Sequence, residues 1–151
     1  MEWNNIKKPL NPELILKIDL SHKKLKFIPE WIKECINLQS FFFTNNRINI
    51  IENLPDSLQT LRCNSNRINK IENLPPKLHL FDCDCNSITK IKNLPSELEI
   101  FYCNRNKIRN IENLPSKLKI FYCDNNQINE IKNLPPHLQT LSCSDNTITK
   151  I

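Results

Sequence analysis

Five cysteines recur at an interval of 20 residues: Cys63, Cys83, Cys103, Cys123 and Cys143. Cysteines in a regular column can form disulfides, bind a metal or pack as small apolar side chains. A metal site would need ligands that converge from a turn, and the chain's histidines (His22, His79 and His137) share no spacing that would add one. Side chains pointing in parallel from adjacent strands are poorly oriented for a disulfide. We therefore expect this column to pack in a core, with no metal and no cofactor.

Two further cysteines lie outside the column. Cys85 lies in the segment Asp-Cys-Asp-Cys-Asn that ends at Asn86, where neighbouring units carry Ser65 and Arg105. We expect Cys85 near the surface, where a reactive thiol is one hypothesis and an inert thiol the other. Cys35 has no histidine or acid arranged around it in the sequence, which favours a packing role. No other set of residues has the spacing of a catalytic site, so we predict a protein that is not an enzyme.

The cysteines belong to a longer unit, L-x-x-L/F-x-C-x-x-N-x-I-x-x-I-x-N-L-P, which repeats in register from Leu58 onward. A period of 20 residues indicates a solenoid, in which each unit buries its apolar edge against its neighbours. Residues 1–14 are interpreted as an N-terminal edge segment, and 15–151 as one repeat domain. The seven units start at Ile15, Leu38, Leu58, Leu78, Leu98, Leu118 and Leu138, and the first is longer, with 23 residues.

Within a unit, apolar residues alternate with polar ones at Leu61 and Cys63, which predicts a short strand with one buried face. Little length is left after the strand, and the Leu-Pro step at 74–75 removes a backbone donor. We therefore predict a return limb that is extended or a single 3₁₀ turn. The first unit differs, because Ile28 to Ile36 leave room for a short helix with Pro29 near its first turn.

The chain contains no glycine, so asparagine is expected to take many of the backbone positions that need positive φ. One asparagine column should satisfy backbone groups of its own turn and the adjacent one. It comprises Asn46, Asn66, Asn86, Asn106, Asn126 and Asn146. A second column precedes each Leu-Pro step and is typical of turns. It comprises Asn53, Asn73, Asn93, Asn113 and Asn133.

This unit resembles the leucine-rich repeat, whose signature is L-x-x-L-x-L-x-x-N-x-L. The 20-residue length and the Leu-Pro step are similar to the short class found in bacterial type III effectors, and the composition resembles leucine-rich-repeat proteins of giant viruses. The resemblance implies an α/β, β-rich solenoid: a right-handed horseshoe with a concave parallel β-sheet and mostly extended or 3₁₀ convex limbs. The first unit departs from the pattern, with Lys23 in place of the asparagine.

The outward positions of the strands are not dictated by the scaffold, and we predict that they bind a protein partner. Stacked side by side, they give an apolar and aromatic centre with polar residues around it, which is typical of interaction sites. The alternative is that isoleucine and tyrosine are there because they favour strands. The predicted partner-binding residues are Phe42, Arg62, Leu80, Asp82, Ile100, Tyr102, Ile120, Tyr122 and Asp124.

Charge and hydropathy narrow the set of partners. The formal net charge is +5, but lysine, arginine and glutamate alternate between the strands, so we expect no nucleic-acid binding.

No apolar run approaches the ~20 residues needed to span a bilayer, and residues 1–10 lack the apolar core of a secretory signal. With an odd number of cysteines, these features favour the cytoplasm, including that of a host cell.

The function predicted from these observations is a non-enzymatic protein-interaction module. The alternative, implied by the effector resemblance, is the substrate-recognition part of a larger effector such as a ubiquitin ligase, whose catalytic domain no segment here is long enough to supply. The last unit, from Leu138 to Ile151, lacks the Asn-Leu-Pro step and a polar cap. Because solenoid ends need covering, we expect either a longer array or a homodimer through this unit.

Overall fold

The computed structural model describes residues 6–111 and 113–150, and its main feature is a sheet of seven parallel strands. Each strand is three residues long and belongs to a successive repeat, so neighbouring strands are one turn of the chain apart. The strands are β1 (Lys17–Asp19), β2 (Ser40–Phe42), β3 (Thr60–Arg62), β5 (Leu80–Asp82), β7 (Ile100–Tyr102), β9 (Ile120–Tyr122) and β11 (Thr140–Ser142). The fold is thus a parallel β-solenoid, as predicted.

The return limbs carry four strands of two residues each, named β4 (Lys70–Ile71), β6 (Lys90–Ile91), β8 (Asn110–Ile111) and β10 (Glu130–Ile131). β4 pairs with β6, and β8 pairs with β10. At each Leu-Pro step the chain makes a tight turn, in which Leu58 N donates to Pro55 O at 3.2 Å and the later units repeat the bond. The extended limb with a single turn, predicted from unit length, is confirmed.

Helical structure among the described residues is limited to two 3₁₀ segments, η1 (Pro12–Leu14) and η2 (Glu30–Glu34). η2 is the short helix expected in the longer first unit, and Pro29 is its N-cap. Ile32 within η2 and Cys35 at its C-cap have no solvent exposure, which confirms the packing role of Cys35. The boundary proposed after residue 14 stays a prediction, and residues 1–5, 112 and 151 of the predicted segments lie outside the described residues.

The core is built from columns that run across the turns. The central strand residue points inward, and in three successive units it is a phenylalanine (Phe81, Phe101 and Phe121) with no solvent exposure. Adjacent rings in this column lie 5.6 Å apart and within 8° of parallel. Because a 20-residue period places each ring directly on the last, the apolar area is buried between neighbouring turns.

The periodic cysteines lie next to the phenylalanines in the core. Cys63, Cys83, Cys103 and Cys123 are fully or almost fully buried, Cys143 in the last turn is half-buried, and all are free thiols. Burial raises the pKa of the first three thiols well above the ordinary value, and raises the pKa of Cys123 to about 12. These thiols are therefore protonated at neutral pH and contribute as small apolar groups, as predicted.

The first asparagine column forms a continuous ladder of hydrogen bonds between turns. Asn106 Nδ2 donates to Cys103 O of its own turn and to Cys83 O of the preceding turn, both at 3.1 Å. Its Oδ1 accepts from Ile88 N at 3.0 Å. Asn46 compensates for the missing asparagine of the first unit, since its Oδ1 accepts from both Lys23 N (3.1 Å) and Leu25 N (2.9 Å). The structural role predicted for this column is confirmed.

Positive φ occurs at two positions of each central repeat. The second asparagine column occupies one of them, with φ between 52° and 57°, as expected for a chain without glycine. At the other position the residue type varies: Asn45 and Asn125 adopt it, but so do Ser65, Cys85 and Arg105, with φ of 51–56°. Asparagine thus takes many of the positive-φ positions, as expected, but at this one the backbone also imposes the left-handed conformation on residues that disfavour it.

Candidate interaction surface

The solvent-facing side of the seven-stranded sheet, here called the strand face, brings the predicted partner-binding residues together. The register pairs Leu80 with Ile100 and Ile100 with Ile120. A second row pairs Asp82 with Tyr102 and Tyr102 with Tyr122. All of these side chains are half-buried, because each is covered on its flanks by its neighbours but not from above. The two rows therefore form one partly apolar surface across β5, β7 and β9.

Aromatic side chains occupy two parts of this face. The rings of Tyr102 and Tyr122 lie 5.1 Å apart with an angle of 40° between their planes. Toward the first turns, the Phe42 ring lies between two cations, with Lys17 Nζ at 5.0 Å and Arg62 Cζ at 5.7 Å from its centroid. Cation–π contacts of this kind hold the ring and the guanidinium in place before any partner arrives. Phe42 and Arg62 are thus neighbours, as predicted, but they are separated from the tyrosine pair by β5.

Carboxylates border the apolar rows at the ends of the strands. Some of these carboxylates accept hydrogen bonds from the next turn of the solenoid, and one does not. Asp124 accepts from Ser142 Oγ (2.8 Å) and Ser144 N (2.7 Å), so its oxygens join its own turn to the next. Asp84 likewise accepts from Asn104 N (2.6 Å). Among the described residues, Asp82 accepts a hydrogen bond from Asp84 N alone, at 3.2 Å. Asp124 therefore links two turns of the solenoid, whereas the Asp82 carboxylate keeps hydrogen-bond acceptor capacity.

Burial also changes the acidity of these groups. Desolvation raises the pKa of the Asp82 carboxyl, and the nearby Asp84 charge adds to this effect, while Arg62 and the Asp84 N–H bond oppose it. Desolvation likewise raises the pKa of Asp84, against the hydrogen bonds from Asn104. A carboxylate that is partly desolvated and incompletely paired gains from a cation brought by a partner.

The other residues considered for reactivity or metal binding, Cys85 and the histidines, lie apart from one another. Cys85 is half-buried and adopts φ of 53°, with its N–H donating to Asn104 O at 2.9 Å. His22 Nδ1 accepts from Asn45 (2.9 Å), whereas His79 Nδ1 contacts the Lys77 carbonyl (2.7 Å) in a distant turn. Within residues 6–111 and 113–150, no group of three or more His, Cys, Asp or Glu side chains could hold a metal ion.

One feature was not found from the sequence: a groove of about 600 Å³ on the return-limb side of the turns, between β6 and β8. Lys90, Lys92, Lys107 and Arg109 line it. The alternation of lysine and arginine with glutamate along the chain indicates a mixed, solvated surface and does not predict this groove. The available signal was that two adjacent units each carry two cations, two residues apart, after the strand, although at different positions of the unit.

Comparison with solved structures places this architecture among the leucine-rich repeats. The chain superimposes on the leucine-rich-repeat domain of a Shigella effector with a TM-score of 0.84 and 22% identity over 91% of its length. It superimposes on YopM, a leucine-rich effector protein from Yersinia pestis, with a TM-score of 0.81 and 26% identity over 88%. InlJ from Listeria monocytogenes, whose functional domain includes a cysteine ladder, aligns with a TM-score of 0.62 and 20% identity over 91%.

The chain therefore has the leucine-rich-repeat fold, with turns of the short class. It spans 61% of the Shigella domain, 38% of the Yersinia pestis YopM chain and 36% of the InlJ chain. No protein-family model matches the sequence, and no curated protein is significantly similar to it. Among the described residues, no helix is long and apolar enough to cross a membrane.

Proposed function

We propose that this protein is a non-enzymatic interaction module that binds a protein partner on its strand face. The observation that carries the proposal is the paired row of half-buried apolar side chains at Leu80, Ile100 and Ile120, beside the Tyr102–Tyr122 pair. The solenoid needs inward residues for its core, but its outward strand positions place no such demand. An outward apolar row beside tyrosines is the composition of an interface core.

The polar border of the strand face adds specificity to this proposal. Asp82, whose desolvated carboxylate makes a single long hydrogen bond, would accept a lysine or arginine of the partner. The apolar row would take an aliphatic or aromatic side chain next to that cation. A partner segment with a basic residue adjacent to an apolar one therefore fits best.

Affinity capture from host-cell cytosol tests the proposal, with the wild-type chain run beside an Ile100→Asp/Tyr122→Ala variant. Ile36→Asp/Phe27→Ala is the matched control, because it changes an isoleucine and an aromatic residue that are 62% and 53% exposed and lie outside the strands. An Ile100→Thr/Tyr122→Thr variant keeps strand-forming residues, and all variants are checked by circular dichroism and thermal melting. We expect a protein retained by the wild type and the control but lost from both strand-face variants. Equal recovery from all four would refute the assignment of the strand face.

The second candidate function is the substrate-recognition part of a larger effector, and the similarity to effector domains of greater length supports it. In that role the same strand face would select the substrate for a catalytic domain on the same polypeptide. The mass of the native protein, detected with an antibody against the repeats, separates the two candidates. A band well above 17.8 kDa favours the larger effector, and a band at that mass refutes it.

A further inference from the structure

The return-limb groove coincides with an interruption in the pairing of the short strands. β6 pairs with β4, and β8 pairs with β10, but no strand pairing joins β6 to β8 in the described part of the chain. The groove lies at this break, and its lining includes Lys90 and Lys92 from one turn and Lys107 and Arg109 from the next. Half-buried Ile91 and the aliphatic stems of these side chains form its apolar surface.

The charges around the groove are unbalanced, unlike those in adjacent turns. One turn away on either side, Lys70 pairs with Glu72 at 3.3 Å and Lys132 pairs with Glu130 at 3.1 Å. Lys90, Lys92 and Lys107 form no ion pair with any described residue, and no carboxylate is found among the described residues that line the groove. Within the described part of the chain, the Arg109 guanidinium donates through Nε to Gln127 Oε1 at 3.2 Å. Four like charges around one cavity repel one another, and an anionic ligand would relieve that repulsion.

The spacing of the cations indicates the shape of the anion. Lys90 and Lys92 are two residues apart, as are Lys107 and Arg109, and adjacent turns of a solenoid are about 4.8 Å apart. Alternate residues of an extended peptide are separated by about 6.6 Å, which is also the separation of alternate residues in the protein's own extended limbs. Lys107 and Arg109 lie one turn after residues 87–89, so the two cation pairs are offset along the limb by three residues. Carboxylates spaced along an extended ligand peptide would thus meet one cation pair after the other.

Other anions match the groove less well. A compact phosphate prefers converging donors, such as a bidentate arginine together with a nest of backbone N–H groups, and here the cations are spread along an apolar surface. A nucleic acid needs a longer basic track, but the cluster is confined to two turns, with the carboxylates of Glu72 and Glu130 in the turns on either side. Ile91 would instead contact an apolar side chain placed between the carboxylates.

We propose that the groove between β6 and β8 binds an extended acidic peptide segment of a protein partner, in which carboxylates alternate with apolar or small residues. This site is separate from the strand face, so the chain would hold two segments at once, or two partners. Affinity here derives from charge complementarity supported by a small apolar contact.

Fluorescence anisotropy on the full chain tests this site. The probe is a fluorescein-labelled peptide of Glu-Leu-Glu-Ser repeated twice, and its partner probe replaces every glutamate with glutamine. The groove variant is Lys90→Glu/Arg109→Glu, with Lys92→Ala/Lys107→Ala as a milder truncation. Lys23→Glu/Lys77→Glu is the matched control, since it makes the same change in net charge at exposed positions outside the groove. Inositol hexakisphosphate and a single-stranded DNA 12-mer serve as competitors.

We expect saturable binding of the glutamate peptide, weakened about tenfold or more by the groove charge reversal and about twofold or less by the control. The truncation should weaken binding in the same direction, and the glutamine peptide should not bind. The proposal is overturned if the groove and control variants lose affinity equally, since net charge alone would then account for binding. It is also overturned if the glutamine peptide binds as well, or if DNA or the hexakisphosphate binds while the peptide does not. The Ile100→Thr/Tyr122→Thr variant should bind the peptide normally, and a loss there would place the peptide on the strand face instead.

Discussion

Replacing Asn106 by alanine should destabilise the chain by an amount that the hydrogen-bond ladder fixes. The side chain makes four contacts: it accepts from Ile88 N and donates to the carbonyls of Cys83, Cys103 and Asn104. At about 1 kcal/mol for each bond, a simple sum would give about 4 kcal/mol. That sum does not consider whether the backbone groups that lose Asn106 keep other hydrogen-bond partners.

Each of the three carbonyls keeps another partner in the Asn106→Ala variant. Cys83 O still accepts from Asn86 Nδ2 at 3.0 Å, and Cys103 O from Asn126 Nδ2 at 2.9 Å. Asn104 O still accepts from Cys85 N at 2.9 Å. The Ile88 N–H group is the one left without a partner, in a residue that is fully buried. One buried, unpaired donor costs about 1–3 kcal/mol, and this is the expected loss in the free energy of unfolding.

Asn46→Ala provides an internal comparison, because the first unit lacks the asparagine that would precede Asn46 in the ladder. Asn46 accepts from Leu25 N and donates to Leu20 O, both buried bonds of 2.9 Å, and neither group has a second partner among the described residues. Two buried groups left without a partner, instead of one, should make this substitution about twice as costly as Asn106→Ala. The Lys23 N–H group also loses its bond to Asn46 Oδ1, but it belongs to an exposed residue that water can reach. A simple sum over hydrogen bonds would instead predict nearly equal losses of stability for the two variants, since each side chain makes several hydrogen bonds.

Urea denaturation followed by far-UV circular dichroism measures both losses. With an m-value of about 2 kcal/mol/M, the Asn106→Ala midpoint should fall by about 0.5–1.5 M. Asn69→Ala, at an exposed asparagine outside the ladder, is the control and should change stability by less than about 0.5 kcal/mol. A loss near 4 kcal/mol for Asn106→Ala, or equal losses for both ladder variants, would refute the argument from orphaned groups.

Three further predictions concern thiols, backbone and pH. At pH 8, Ellman's reagent should label Cys85 and Cys143 in the native chain but not the buried cysteines of the column. Burial raises the pKa of the buried thiols and excludes the reagent from them. Labelling of all cysteines before unfolding would contradict this. Arg105→Asn should raise the free energy of unfolding by roughly 0.5–1 kcal/mol in urea titrations, because φ is 52° there and asparagine tolerates that conformation better; an unchanged midpoint would count against it. Burial raises the pKa of Asp82 in the folded state, so the folded chain binds the proton more tightly, and stability should fall as pH rises from 3.8 through the raised value. Asp82→Asn should remove part of that fall and melt higher than the wild type at pH 7, whereas identical pH profiles would show that Asp82 does not contribute.

Most of the scaffold was predictable because its constraints repeat. Inward placement of Leu61 and Cys63 follows from a period of two, and a fixed 20-residue interval fixes which residues stack. The turn role of Asn73 followed from its position before the Leu-Pro step, and its φ of 54° agrees with the expectation that asparagine replaces glycine in this chain. Unit length excluded a full helix in the return limbs. These inferences depend on local geometry that the same residue types enforce in each unit.

The features that escaped prediction depend on relations between neighbouring turns. The sequence shows Asp124 as a polar residue on the strand face, but not that Ser142 and Ser144 engage its oxygens. It shows lysines alternating with glutamates, but not that the glutamates of some turns pair with their own lysines and leave Lys90 and Lys92 unmatched. Such outcomes depend on side-chain distances between neighbouring turns, which periodicity alone does not specify. The partner-binding role of the predicted residues stays a prediction.

The offsets of the asparagine ladder have a consequence for how the chain can change in length. From Asn66 to Asn146, each amide donates to a carbonyl 23 residues earlier and accepts from an N–H group 18 residues earlier. Inserting or removing 20 residues between equivalent positions restores both offsets, so the bonds re-form with substituted partners of the same type. A duplication of 60 nucleotides within one unit's coding segment would therefore add a strand without disturbing the rest. Such growth would widen the strand face by about 4.8 Å per event, and recombination could adjust its reach faster than point mutation could adjust its composition.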